Sequence, residues 1–370
     1  MKALFLSHEN LLRPGGGGNE ICTREYHDVL TAAGFCLTDV THQTDRAANV
    51  RLGRLLRPSS YQRLIPSNFW TDLSRVLENE RPSWVFCNFS NFLPVATRLR
   101  QMVPVDTKLV LLSHGLASVD DAHRARIAAL PFAKAHLKPL ANGRLGAALQ
   151  TEMQGLRSFD HVFCLAPFEV EICRWLGAKS VSWWPRSLER EGILPWRPVG
   201  DRIGVIGTLD HPPNLEGIYL FCSALQELGG GGPRVRIISR SAAVGRDLAA
   251  KYSFVDYLGP LEDRKSVVNE VATWSAFAHP IFCHAMGCST KVATGLSWGL
   301  PLLTTCAGLR GYQENRIPVY DTPALMAARA VELMVPDAAA NARQLTLEVL
   351  AAALDVQGIG RKFRVDLSLD

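Results

Sequence analysis

Short apolar runs recur along the chain and alternate with longer stretches whose apolar positions fall at helical spacing. A first series comprises Ala3–Ser7, Phe35–Val40, Ser83–Asn88, Lys108–Ser113, His161–Leu165 and Ser180–Trp184. A second comprises Ile203–Gly207, Val235–Ser239, Phe254–Leu258, Ser275–His279 and Pro301–Thr305. Strands covered on both faces of a parallel sheet read as near-continuous apolar runs like these. The intervening Asn19–Ala33, Asn214–Leu228, Arg264–Thr273 and Thr290–Trp298 predict helices. Strand and helix in steady alternation imply an α/β chain with doubly wound parallel sheets. The alternation breaks at Pro185–Asp201, where three prolines interrupt any periodicity, and each side of the break begins afresh with a strand and a glycine-bearing turn. This divides the chain into residues 1–188, residues 189–345, and a C-terminal helix and tail over 346–370. Ala117–Phe159 is too long for a simple crossover and predicts one or two extra helices, while Asn341–Leu354 could pack on either domain.

Composition narrows the class. The 370 residues are 47% apolar and 20% charged, so disorder and low complexity are excluded, and the length suits two domains. The first apolar run stops at His8 and Glu9, unlike a signal or transit peptide, and no run of about 18 apolar residues predicts a membrane span. Nine cysteines without a CxxC or Cys/His cluster suggest a reduced, cytoplasmic chain with neither disulfide scaffold nor metal. Residues 1–190 hold 23 Lys and Arg against 17 Asp and Glu, whereas residues 191–370 hold 17 against 18. That excess favours an anionic partner without calling for nucleic acid. On a helical wheel over Arg46–Arg57, the four arginines oppose Ala48, Leu52, Leu55 and Leu56. Such a helix suits docking on anionic lipid at the inner face of a membrane.

Two segments carry candidate chemistry. RPGGGGNE, Arg13–Glu20, follows the first strand and opens the first helix, with Asn19 as the expected N-cap. Gly16, Gly17, Gly18 and Asn19 would bring backbone amides close to an anion at a helix N-terminus. No Gly-Lys-Ser/Thr follows, so this is not a P-loop, and Glu20 stands where GxGxxG needs its last glycine. In the second half, GVIGTLDHPPNLEG (Gly204–Gly217) reads as strand, tight turn and helix. Later, Ser289 and Thr290 can cap a helix whose first turn holds Lys291, a combination suited to a diphosphate.

These residues resemble the GT-B glycosyltransferases, in particular the retaining family four. GGGGNE, GTLDHPPNLEG and KVATGLSWGLPLLTT match its N-terminal glycine pair, its G-S-L-x-H-x-P-N-x-x-G turn and its K-x-x-E-A-x-A-x-G-x-P-V-V-x-T segment. The resemblance spans Lys2–Gly311 and implies two facing Rossmann-like domains sharing a cleft. It implies a nucleotide-diphosphate-sugar co-substrate, no further cofactor, and a glycan, lipid-linked or small-molecule acceptor. The donor would bind the C-terminal domain and the acceptor the N-terminal one. Gly207 and Thr208 would lie under the donor phosphates, with Ser289, Thr290 and Lys291 around the diphosphate. Glu262, in GPLEDR, would lie near the base, and His114 near the sugar. The family's glutamate pair falls on Met286 and Thr294, neither acidic, so the ribose contact would pass to Thr294 or to a substitute such as Asp210 or Glu314. The expected activity is metal-independent sugar transfer with retention. The alternatives are a degenerate relative that binds nucleotide or a partner without transfer, and a nucleotide-sugar epimerase.

Overall fold

The computed structural model describes residues 1–13, 17–43, 61, 65–128, 141–188, 190, 192–229, 232–312 and 316–369. Within them the strands form two all-parallel sheets, and each of the eleven expected runs overlaps one strand. The first sheet holds β1 (Lys2–His8), β2 (Cys36–His42), β3 (Trp84–Asn88), β4 (Lys108–Ser113), β5 (His161–Cys164) and β6 (Val181–Trp183). Its order is β2-β1-β3-β4-β5-β6. The second holds β7 (Arg202–Ile206), β8 (Arg234–Ile238), β9 (Val255–Gly259), β10 (Ala276–His279) and β11 (Leu302–Thr304), in the order β11-β10-β7-β8-β9.

The central strands of each sheet are covered on both faces, which is why they read as continuous apolar runs, whereas the edge strands β2 and β9 keep exposed or half-buried positions. Leu4, Leu6, Val85, Cys87, Leu109 and Leu111 point into one core, and Ala3, Phe5, Phe86, Val110 and Leu112 point into the layer behind. In the second sheet Ile203, Val205, Val235 and Ile237 fill one side, and Phe277 and Leu302 the other. In these central strands alternation is present in space but hidden in the sequence, since neither face meets water.

Among the described residues six helices accompany the first sheet: α1 (Gly18–Ala32), α2 (Ser67–Glu80), α3 (Ala96–Met102), α4 (Ala117–Ala128), α5 (Ala141–Leu156) and α6 (Pro167–Trp175). α4 and α5 fall in Ala117–Phe159, where one or two extra helices were expected before β5. Around the second sheet lie α7 (Pro212–Glu227), α8 (Ala242–Lys251), α9 (Arg264–Val271), α10 (Thr290–Ser297), α11 (Pro323–Glu332) and α12 (Pro336–Ala352). α12 stays with this sheet, where Arg343 Nε donates to Gly299 O at 3.0 Å. The final helix, α13 (Val356–Asp366), returns to the first domain. There Phe363 packs among Phe35, Phe86, Phe163 and Trp184, and Arg364 donates to Ala33 O at 3.1 Å.

One cap differs from expectation. α1 begins at Gly18 with Gly17 as its N-cap, so Asn19 is an exposed residue inside the helix. The Glu20 carboxylate accepts the Gly17 amide at 2.8 Å and does the work assigned to Asn19. Among the described residues no helix is long and apolar enough to cross a membrane.

Candidate functional site

In sheets of this kind ligands bind beyond the carboxyl ends of the strands, where the strand order reverses. The reversal lies between β7 and β10 in the second sheet. A crevice opens there, lined by Thr208, Asn214, His279 and Lys291 among others. β7 ends at Gly207, whose φ of +125° is open to glycine and strained for other residues. A Cβ at Gly207 would stand 2.2 Å from Lys291 Cε, so the lysine stem lies directly across the glycine. Ser289 caps α10, its Oγ accepting the Val292 amide at 3.4 Å, and sets Lys291 in the first turn.

Lys291 is half-buried and has no hydrogen-bond or ion-pair partner among the described residues. Burial, with a smaller push from Arg310, lowers its pKa to about 8. His279, at the end of β10, is held neutral by burial and by the positive charges of Lys291 and Arg310. Its Nε2 is buried with no partner among the described residues.

The glycine-rich turn of the first domain meets this site across the cleft. A Cβ on Gly18 would lie 3.0 Å from Thr290 Oγ1. The N-termini of α1 and α10 therefore abut, and each end carries partial positive charge and free amide donors. Two such ends together, beside an unpaired lysine, favour an anion between them.

Below them the loop Ala285–Cys288 lies on the first domain. A Cβ on Gly287, whose φ is +60°, would fall 2.1 Å from His114 O. Two carboxylates of the first domain take up the loop's amides. Asp120 Oδ1 accepts Met286 N at 2.8 Å, and Asp120 Oδ2 is 3.1 Å from His211 Nε2. Burial works to raise the Asp120 pKa, but His211, the Met286 amide and Arg310 hold it below the usual range. Glu169 Oε1 accepts both Leu116 N (2.9 Å) and Gly287 N (3.0 Å), while Oε2 is buried without a partner among the described residues. Burial pushes the Glu169 carboxyl up to about 7 against the pull of those two amides. Arg310 Nη1 donates to Ala307 O at 3.1 Å, and Nη2 to Met286 O at 3.4 Å.

His114 follows β4 at the floor of the cleft. Its Nε2 is 2.8 Å from Asn88 Oδ1, and Asn88 Nδ2 donates to Ser7 Oγ and Thr23 Oγ1 at 2.9 and 3.0 Å. That network puts the proton on Nε2 and leaves Nδ1 as a buried acceptor with no partner among the described residues. Burial, and secondarily Arg186, lowers the His114 pKa to about 3. His114 therefore offers a lone pair at neutral pH rather than an acidic proton.

The structure thus brings Gly17, Gly18, His114, Gly207, Thr208, Ser289, Thr290 and Lys291 to one cleft. Glu262 lies apart from this crevice, exposed after the edge strand β9. Thr294 spends its hydroxyl on its own helix, donating to Thr290 O at 3.0 Å. Asp210 is exposed and accepts Ser241 Oγ at 2.7 Å. Gly16, Glu314 and the Arg46–Arg57 segment lie outside the described residues. Asp120, Glu169 and Arg310 were not singled out from the sequence. A usable signal existed for Glu169, which stands just past a strand end on the ligand-bearing edge. Among the described residues no three His, Cys, Asp or Glu side chains are grouped to hold a metal ion.

No protein-family profile matches the chain, and no curated protein matches it. Solved structures do. The lipopolysaccharide outer core galactosyltransferase WaaB, in its apo form, superimposes with a TM-score of 0.58 at 14% identity over 100% of both chains. WaaG, a glycosyltransferase involved in lipopolysaccharide biosynthesis, gives 0.56 at 12% identity over 98% of each chain. A mutant of S. aureus TarM, in complex with fondaparinux, α-GlcNAc-glycerol and UDP, gives 0.55 at 9% identity over 79% of this chain and 57% of that one. These likenesses show the fold, which is GT-B: two facing parallel-sheet domains, with no closed barrel among the described strands.

Proposed function

We propose that this chain is a glycosyltransferase that takes a sugar from a nucleotide-diphosphate-sugar and passes it to a glycan, lipid-linked or small-molecule acceptor with retention. One observation carries the reading: the N-termini of α1 and α10 abut across the cleft beside Lys291, which has no anionic partner of its own among the described residues. A diphosphate would offset the charge of Lys291 and satisfy the free amides. Arg310, in the loop after β11, would add a second cation. The solved structure of TarM with UDP supports a nucleotide of that kind. In a retaining transfer without a protein nucleophile, the departing diphosphate helps to deprotonate the acceptor on the same face of the sugar. The protein then supplies charge stabilisation to the leaving group, which suits Lys291 and the helix amides. Metal independence is part of this reading, because the lysine and the amides take the metal's electrostatic part.

Lys291→Ala removes a charge-assisted contact, worth about 1.5–3 kcal/mol, and should weaken nucleoside-diphosphate binding about ten- to a hundredfold. Calorimetry showing unchanged affinity in a folded variant would sink the assignment. Sugar-nucleotide hydrolysis with a panel of donors tests the transfer itself. A second reading, nucleotide binding without transfer, is favoured by Met286 and Thr294, which occupy the expected glutamate positions. Binding without turnover of any donor would select it. Peripheral docking on an anionic inner membrane face rests on the Arg46–Arg57 pattern alone. Flotation with anionic liposomes at low salt is expected to carry the protein upward, and an absence of binding would remove that claim.

A further inference from the structure

Four side chains that the proposed reaction leaves unused converge at one flank of the cleft. Cys22 and Glu25 come from α1, Arg186 from the segment after β6, and Cys288 from the loop that leads into α10. Arg186 Nε donates to Glu25 Oε2 at 2.6 Å. The remaining Glu25 oxygen accepts Ser187 N at 2.5 Å. Arg186 Nη1 donates to both sulfurs, at 3.2 Å for Cys22 and 3.4 Å for Cys288. The two sulfurs therefore lie within hydrogen-bond reach of one and the same nitrogen. Cys22, Glu25 and Arg186 are buried, and Cys288 is half-buried.

A salt bridge alone would account for Arg186 and Glu25. It leaves unexplained why one cysteine from each domain meets at the same guanidinium nitrogen. We infer that Cys22 and Cys288 are a thiol pair oxidised by hydroperoxides, in which Cys288 is attacked first and Cys22 closes a disulfide between the two domains.

The two sulfurs are not equivalent. The neighbouring Cys22 thiol and the positive charge of Arg186 hold the Cys288 pKa below the ordinary thiol value despite burial. Cys22 is raised, first by the neighbouring Cys288 and then by burial. Cys288 is thus the sulfur whose surroundings favour the thiolate and the more exposed of the two, the combination that reacts with peroxides. In the first step its sulfur attacks one peroxide oxygen and the O–O bond breaks. A sulfenic acid remains, and the departing alkoxide or hydroxide takes up a proton. In the second step the Cys22 sulfur displaces the sulfenic oxygen, which leaves as water carrying the Cys22 proton. Two thiols and one hydroperoxide become one disulfide, one alcohol (or water) and one further water. The bond ties α1 to the loop ahead of α10, so the domains could no longer part.

The test uses the full folded chain and does not depend on any transferase activity. Hydrogen peroxide is added at neutral pH, and peptides are mapped without reduction. A peptide containing Cys22 joined to one containing Cys288 is expected, with two of the nine thiols lost before the exposed Cys36 and Cys306 react. Dithiothreitol should restore both. Cys22→Ser should leave a sulfenic acid on Cys288 that a 1,3-diketone probe traps, and Cys288→Ser should abolish the cross-link. Should either serine variant fail to fold, the wild-type map decides alone. Oxidation of Cys36 or Cys306 without a Cys22–Cys288 link overturns the inference. So does a link that forms as readily in urea as in the folded protein.

Discussion

Lys291 shows how one side chain can be tuned by its surroundings. An ammonium stripped of water and set near Arg310 gives up its proton at about pH 8 rather than in the ordinary lysine range. A bound diphosphate reverses that cost, so binding should draw a proton onto the protein near pH 8. Nucleoside-diphosphate affinity is then expected to be flat below about pH 7 and to fall as the pH rises through 8. In Lys291→Ala this fall should disappear. Calorimetry in two buffers of different ionisation enthalpy measures both the affinity and the proton uptake, and a wild-type profile without a step near 8 would contradict the assignment. His114 is tuned in the same sense by burial, and far enough to stay neutral at pH 7, so that Nδ1 remains an acceptor.

At the scale of elements, the end of β7 and the start of α10 were made for each other. Gly207 is required twice over, by its positive φ and by the Lys291 stem lying across it. Gly207→Ala adds backbone strain and pushes the lysine aside. A stability loss of about 1–3 kcal/mol is expected, together with a fall in nucleotide affinity comparable to that of Lys291→Ala. Urea unfolding and calorimetry measure the two effects separately. Lost stability with unchanged affinity would show that the lysine can bind from another rotamer. The capping of α1 carries a related lesson. An asparagine near a helix start is a good N-cap on average, but here the Gly17 amide donates to the Glu20 carboxylate and the helix starts with its N-cap two residues earlier.

Across the whole molecule, the closed arrangement rests partly on Glu169, a buried carboxyl that accepts one amide from each domain. Burial raises its pKa from 4.5 to about 7. An acid whose folded pKa is raised contributes full stability below its unfolded pKa and loses it as the pH rises through the folded value. Glu169→Gln keeps an acceptor for both amides and cannot ionise. At pH 8 the variant should be more stable than wild type by up to about 3 kcal/mol, and the difference should vanish below about pH 4.5. Denaturant unfolding at the two pH values checks this, and equal stability at both would show that Glu169 stays ionised at no cost.

Much of the architecture was legible along the chain. The central strands could be placed because burial on both faces leaves an unbroken apolar run that no partner is needed to recognise, whereas the edge strands β2 and β9, with exposed or half-buried positions, were placed by their turn in the strand–helix alternation. The Ser289 cap and the first-turn Lys291 were legible for a similar reason, since a helix start depends on residues three or four apart. What the tertiary structure alone decided involves residues far apart in sequence. Asp120 and Glu169 gained their roles when Met286 and Gly287 were laid against them, and Gly18 gained its role from Thr290. Arg186 acquired Cys22 and Cys288 from opposite domains in the same way. Local periodicity reports which side of an element is buried, and it carries no record of which distant residue lies on the other side. That pairing was set when the two sheets turned their carboxyl ends toward each other and brought the loops between strands and helices into contact.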